Sequence, residues 1–241
     1  MRAVQLEELH PKDKLQAVVD AADQAGEAAR SIIFDEGFDD RVGWKLDAQN
    51  EEVTVHYKDI NGKRHFAARV GLSSLEKKMR SQTKVPFTCE IGVALNWDHV
   101  DKMADWNDNV KFSKLIGKIG QDVDLAHYAS NEVFMVKSRE FLVARKRLVI
   151  GEALVVAAQS CSTDLVNLTG QAVVANLNLG VGRYIPDKTD PTHSRYDYVV
   201  SMDLKGMMPS YLVNQVMGKM VLSDVDNHRK NAQEHGKQFQ A

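Results

Sequence analysis

Cysteine is scarce in this chain of 241 residues: only Cys89 and Cys161 occur, in no CxxC and in no zinc-like spacing. That argues against a disulfide framework and leaves two reduced, buried thiols, the state usual in the cytosol. There is no run of about eighteen apolar residues, so no segment reads as a membrane-spanning helix. Met1 to Lys14 carries Glu7, Glu8 and Asp13 and no apolar core. It is neither a secretory signal nor an Arg-rich transit peptide, although a leader removed from a longer precursor stays open. Without a secretion signal, the sequon Asn167-Leu168-Thr169 reads as chance. Excess charge is missing too. A formal net charge of −2 supplies no global field to recruit nucleic acid or an anionic membrane.

Catalytic signatures are also missing. No HExxH, GxSxG, GxxxxGK[ST] or Rossmann glycine fingerprint occurs. Gly180-Val181-Gly182 is a lone Gly-x-Gly with no helix after it, which reads as a turn. The histidines are scattered singly. His127 could serve as a base or a ligand, but a lone strand histidine is more often a satisfied or exposed side chain. The carboxylates form no evident acid/base pair. These absences favour binding over catalysis.

What is present is an ordinary globular composition, 44% hydrophobic and 27% charged, long enough for a sizeable core. Leu15, Val18, Val19, Ala22, Ala25 and Ala29 recur at helical spacing and predict a helix over 12–34. Strands are predicted at Trp44–Leu46, Val53–Tyr57 and Phe66–Val70, the last two joined by the hairpin signal Asn61-Gly62. Gly71–Lys84 reads as a connection, Val85–Cys89 as a short strand and Glu90–Asp105 as a helix. Then come strands of roughly ten residues at Lys111–Ile119, Asp122–Ser130, Glu140–Ile150 and Glu152–Cys161, with two more at Ala172–Leu179 and Tyr196–Leu204. The tail is the most distinctive part. A strand ends at Asp203–Gly206, Pro209 opens a helix over 209–230, and Val213, Val216, Met217, Met220, Val221 and Val225 form its apolar stripe. So many flexible apolar residues on a terminal helix suggest a cover over a greasy cavity. The fold class is α+β: one domain, 1–241, with a strongly curved antiparallel sheet and helices packed on it.

Four segments in this order carry a resemblance: Trp106-Asn107-x-Asn109-Val110, Lys118-Ile119-Gly120-x-Asp122, Arg139-Glu140-Phe141 and Asp203-Leu204-Lys205-Gly206-x-x-Pro209. Gly43-Trp44-Lys45-Leu46 precedes them and Leu212-Val213-Asn214-Gln215-Val216 follows. Together, over about residues 12–235, the chain resembles the START (steroidogenic acute regulatory protein-related lipid transfer) domain family, and is most similar to its sterol-carrying branch. The resemblance implies a helix-grip fold, in which an antiparallel sheet of about nine strands curls around a tunnel. The tunnel holds one lipid, and the C-terminal helix and a nearby loop act as the lid. It implies a non-enzymatic cytoplasmic carrier that needs no cofactor or metal, binds no nucleic acid, acts as a monomer and touches membranes transiently.

The resemblance also implies site residues. A buried arginine of sterol carriers falls on Arg145, which shares a face with Phe141 and Val143. An inward arginine there needs a partner, whereas an outward one would join Lys146 and Arg147 in an exposed basic cluster. The acid that usually pairs with it falls on Tyr128, a departure from the family. The charge would then come from Asp124 or Glu132, which share parity with Tyr128, or from a ligand with a negative or strongly accepting headgroup. The alternative ligand would be a phospholipid, a fatty acid, a carotenoid or another isoprenoid rather than a sterol. Asn107 is either a cavity residue or a helix-ending turn residue, and Asn176 either faces the pocket or ends a strand. Tyr198, Val200 and Met202 form one wall, and Val213, Val216, Met217 and Met220 the ligand-facing stripe of the lid. Phe134 and Met135, in the loop over the tunnel mouth, either touch membranes or pack on the last helix. An enzymatic reading would require His127, Tyr128, Asp124 and Arg145 to converge in the pocket.

Overall fold

A computed structural model describes residues 3–70, 85–132, 136–170, 172–206 and 210–236, with residues 210–212 and 215 described through their backbone alone. The connection predicted at Gly71–Lys84, the helix-opening Pro209 and the loop residues Phe134 and Met135 lie outside the described residues.

The strands are β1 (Lys45–Gln49), β2 (Val53–Ile60), β3 (Lys63–Val70), β4 (Val110–Ile119), β5 (Val123–Ser130), β6 (Arg139–Ile150), β7 (Ala153–Ser160), β8 (Val173–Val174), β9 (Asn176–Pro186) and β10 (Ser194–Asp203). They form one sheet in the order β1-β2-β3-β10-β9-β7-β6-β5-β4, with the short β8 parallel to the start of β6. Apart from β8, neighbouring strands run antiparallel. The hairpin between β2 and β3 turns at Asn61 and Gly62, both at positive φ (51° and 74°), as an Asn-Gly turn requires. Register shifts in β4 against β5, and at Ser201/Met202 in β10, mark bulges of the kind that bend strands.

Helix α1 (Lys12–Ile33) covers one face of the sheet. Its buried side runs from Leu15 and Val18 to Ile33, with Ala21, Ala22, Ala25, Gly26 and Ala29 between them. Small residues allow close approach: a Cβ on Gly26 would stand 3.4 Å from both Leu148 and Lys146. The same face holds a buried ion cluster. Asp197 of β10 accepts from Arg183 Nη2 at 2.7 Å and from Arg41 Nη2 at 3.1 Å, and Arg69 Nε also donates to it. Burial alone would raise the pKa of this carboxyl. The guanidiniums of Arg69, Arg183 and Arg41 reverse that and hold it far below the usual carboxylate range. The cluster joins β3, β9 and β10 to the segment that links α1 to β1.

The opposite face carries the largest core cluster and the other helices. Helix α4 (Ser210–His235) crosses β1, β2 and β3. The segment predicted as one helix over Glu90–Asp105 is broken instead. It comprises α2 (Cys89–Val93), a π-helical turn (Ala94–Asp98), a 3-10 turn (Val100–Lys102) and α3 (Met103–Trp106). Nor is Val85–Cys89 a strand: Val85 makes one bridge to Ser194, and Thr88 caps α2 through Ile91 N. Gly180-Val181-Gly182 is not a turn either. It lies in the middle of β9, paired on both sides.

His228 of α4 is buried among the rings of Phe87, Trp106, Tyr184 and Tyr196, with Nε2 3.1 Å from the Tyr184 hydroxyl. Burial lowers its pKa from 6.5 to about 4. The unfolded chain therefore takes up this proton at higher pH than the folded chain does. The stability that depends on neutral His228 is complete above pH 6.5 and declines as the pH falls towards 4, by roughly 3 kcal/mol in all. Urea unfolding of wild type and His228→Gln across that window should give curves that converge in acid, and parallel curves would refute the assignment.

Candidate functional site

The sheet, α4 and the broken helical segment line a cavity of about 160 Å³. Its apolar wall comes from Val100, Met103, Ala126, Val136, Phe141, Val143, Val156, Ala158, Leu177 and Met202, so many elements each contribute a residue or two. Part of the floor is glycine. Gly180 and Gly182 share the cavity face of β9 with Tyr184, and each leaves room that a side chain would take. A Cβ at Gly182 would stand 3.1 Å from Asn96 Nδ2, and one at Gly180 3.3 Å from Leu177. These glycines are therefore cavity residues. Periodicity alone could not reveal this, because a glycine has no side chain to signal which face it serves.

At one end of the cavity lies Arg145, 4% exposed and thus inward rather than part of a basic surface cluster. Its partner is Asp124, directly opposite in the β5–β6 register. Nε donates to Asp124 Oδ1 at 2.7 Å and Nη2 to Oδ2 at 2.6 Å, a bidentate pair. Nη1 donates to the Asn96 carbonyl at 2.5 Å and Nη2 to the Trp97 carbonyl at 3.0 Å. Those carbonyls belong to the π-helical turn, where regular helical bonding is interrupted and acceptors are left over. The Trp97 ring centroid lies 4.8 Å from the guanidinium carbon. The charge expected to be missing at Tyr128 is thus supplied by Asp124, four residues earlier on the same face of β5. The case for an anionic ligand that rested on an unpaired Arg145 falls with it. Tyr128 lies on the same wall, stacked on Phe141 at 5.1 Å between centroids.

At the other side, α4 presents Met220, Asp224 and His228, at successive four-residue steps. Asp224 Oδ1 accepts from Asn107 Nδ2 at 3.0 Å and from Asn109 Nδ2 at 2.8 Å. Asn107 Oδ1 in turn accepts from Asn109 N at 3.0 Å. Burial raises the pKa of the Asp224 carboxyl, and the two asparagine amides partly offset that. Asn107 is therefore both the residue that ends α3 and a cavity residue, so its two readings coincide.

Of the residues singled out from the sequence, Asn107, Tyr128, Phe141, Val143, Arg145, Tyr198, Met202 and Met220 line the cavity. The other five do not. Val200, Val216 and Met217 are buried in the core cluster, with Val213 packed against it. Asn176 donates to Asn178 Oδ1 at 2.9 Å, as a strand-start residue. Of the four stripe residues on α4, Met220 faces the cavity and the other three belong with the core. The valines pack on the sheet, while the cavity face is the neighbouring Met220–Asp224–His228 line. The signal for this was a carboxylate set between Val221 and Val225 in an apolar stripe. His127 points to the other face of β5. Its Nε2 lies 2.7 Å from Glu140 Oε1, and Glu140 also accepts from Thr169 N and Oγ1 at 2.7 and 2.8 Å. The four groups required for an enzymatic site therefore do not converge. Among the described residues, no group of three or more His, Cys, Asp or Glu side chains could hold a metal ion.

Two sequence motifs meet at the cavity's edge. Arg139 donates from Nε to the Leu204 carbonyl at 2.7 Å and from Nη2 to the Lys205 carbonyl at 3.1 Å. The Arg-Glu-Phe motif thus holds the Asp-Leu-Lys-Gly segment that leads to α4, where Lys205 and Gly206 both adopt positive φ (52° and 81°).

Comparison with known proteins agrees with this architecture. Steroidogenic acute regulatory-like protein 1 of Caenorhabditis elegans is 28% identical over 205 residues, covering 84% of this chain and 74% of that protein. The human mitochondrial steroidogenic acute regulatory protein is 25% identical over 234 residues, covering 95% and 76%. Among solved structures, human StAR-related lipid transfer protein 5 superposes with a TM-score of 0.73 at 16% identity, covering 94% of this chain and all of that one (100%). Human STARD10 gives 0.67 at 17% identity, covering 83% and 76%, and at these identities the likeness is one of fold. The START domain family model matches residues 26–238, and this chain belongs to the START domain family.

Proposed function

We propose that this chain is a lipid carrier that takes one sterol-like molecule into the cavity and moves it between membranes. The observation that carries the reading is the apolar, glycine-floored cavity bounded on one side by α4. An insoluble lipid gains about 25 cal/mol for each Å² of apolar surface removed from water, so an enclosed apolar wall substitutes for a bilayer. In this reading the eight cavity-lining residues Asn107, Tyr128, Phe141, Val143, Arg145, Tyr198, Met202 and Met220 contact the lipid. The neutralised Arg145 favours an uncharged lipid over a fatty acid or an anionic phospholipid. The protein acts as a non-enzymatic monomer in the cytoplasm and touches membranes only during exchange. No helix among the described residues is long and apolar enough to cross a membrane.

The cavity volume of about 160 Å³ is below the roughly 300 Å³ at which pockets for drug-sized ligands begin. Uptake therefore requires the wall to move, and α4 is the element that can swing away without breaking the sheet. Gly218 of α4 abuts β1, with Asp47 Cγ 2.8 Å from where a Cβ on residue 218 would stand.

Incubation with liposomes carrying labelled cholesterol should give saturable, one-to-one extraction, and absence of binding to any lipid, with none co-purifying by native mass spectrometry, would overturn the carrier reading. A Gly180→Val variant should unfold cooperatively like wild type while losing most lipid uptake, because its side chain occupies the cavity floor. A double variant Asp47→Cys/Gly218→Cys, oxidised to the disulfide, should neither load nor release lipid until reductant is added. Unchanged exchange in the oxidised form would show that α4 is not the gate.

A further inference from the structure

The polar groups around the cavity are unequally committed. Arg145 is bound by Asp124 and two backbone carbonyls. Asn107 and Asn109 are bound to Asp224, and both of their bonds fall on the same oxygen, Oδ1. Asp224 Oδ2 accepts no hydrogen bond from any described residue, although Asp224 lines the cavity. No Lys, Arg or His among the described residues forms an ion pair with it. Asp224 is half-buried, and its Oδ2 is not sealed off by neighbouring atoms, so this acceptor is open to a partner in the cavity. A latch between α4 and the α3–β4 loop would not require it, since an amide oxygen could accept both asparagine bonds. What an amide could not do is present a second strong acceptor to the cavity.

We infer that Asp224 is the specificity-determining residue of the site: its Oδ2 accepts a hydrogen bond from a hydroxyl group on the bound lipid. The inference rests on the lipid-carrier reading and deepens it. The ligand is an uncharged lipid that carries a hydroxyl donor. An anionic headgroup meets repulsion at Asp224, and a ketone or ether at the same position offers no donor. The hydroxyl is read from α4, the proposed gate, so the lid closes on a ligand only when the donor is in place. Tyr128 and Tyr198 line the same cavity, and burial together with the nearby Asp224 carboxylate raises the pKa of both hydroxyls.

The test is competition between cholesterol and cholest-4-en-3-one for displacement of a side-chain-labelled fluorescent sterol at pH 8. Wild type should prefer the hydroxyl sterol by roughly tenfold or more, the range of a hydrogen bond to a charged acceptor. In Asp224→Asn the amide oxygen must face the two asparagine donors, which turns its NH₂ into the cavity. The latch survives, and the preference should collapse to near parity or reverse towards the ketone. Asp224→Leu should bind both sterols alike. Equal binding by wild type, measured without any variant, would overturn the inference while leaving the carrier reading intact. A preference that persists in Asp224→Asn would overturn it as well, since a purely structural role leaves the ratio unmoved. Failure of wild type to bind either sterol or the probe would remove the sterol-carrier reading and this inference together.

Discussion

A guanidinium at the wall of an apolar cavity is tolerable only if nearly every N–H is used and the charge is cancelled in place. The Arg145–Asp124 pair meets both conditions, and much of the site follows from how it does so. The two residues face each other across β5 and β6, so the ladder itself fixes their separation. The remaining donors reach the carbonyls of Asn96 and Trp97, which are available because the helix there loosens into a π turn. The pair thus ties a sheet strand to the broken helix that forms one wall. If Asp124 were apolar, Arg145 would have to turn out or draw in water, and the helix end would lose its anchor. Because the pair is complete, it supplies electrostatic neutrality rather than a free cation. That is why the ligand's polar end must be recognised elsewhere.

Much of the fold could be read from the chain because local chemistry and tertiary structure agree there. The Ala-rich periodicity of α1, the Asn61-Gly62 turn and the alternating runs of β6 and β7 each have one low-energy solution. Chain and structure part where one signal admits two solutions. Gly180 and Gly182 resemble turn residues because glycine is permissive, yet in β9 they serve by omitting a side chain. The helix expected over Glu90–Asp105 has helical spacing throughout, but its middle gives up regular bonding so that carbonyls can meet Arg145. On α4, hydrophobicity marks Val216 and Met217 as buried and says nothing about whether they are buried against sheet or against void. Only the packing decides that, and it gives the void to Met220, Asp224 and His228. Asp124 was one of two candidates by parity along the strand. The choice between it and Glu132 depended on cross-strand register, which a single strand's sequence does not contain.

The two faces of the sheet are built for different purposes. On the α1 side, small side chains let the helix lie close, and the Asp197 cluster joins β3, β9 and β10 through fixed guanidinium geometry. A buried multi-arginine cluster is a poor source of net stability but a strong constraint on geometry, because partial separation strands an uncompensated charge. On the cavity side the wall has methionines on three separate elements: Met103 on α3, Met202 on β10 and Met220 on α4. An unbranched thioether side chain repacks at low cost, so the wall can change shape around a guest while the backbone behind it stays in place. In the proposed carrier, expansion of this small cavity falls on α4 and the methionines, not on the sheet. Asp224 sits on that adaptable side, tied to Asn107 and Asn109 on a segment leading into the sheet edge. A polar contact placed there senses both the position of the helix and the presence of a donor in the cavity. The same contact on the rigid face would sense only the donor, and closure of the lid would then be independent of what had been captured.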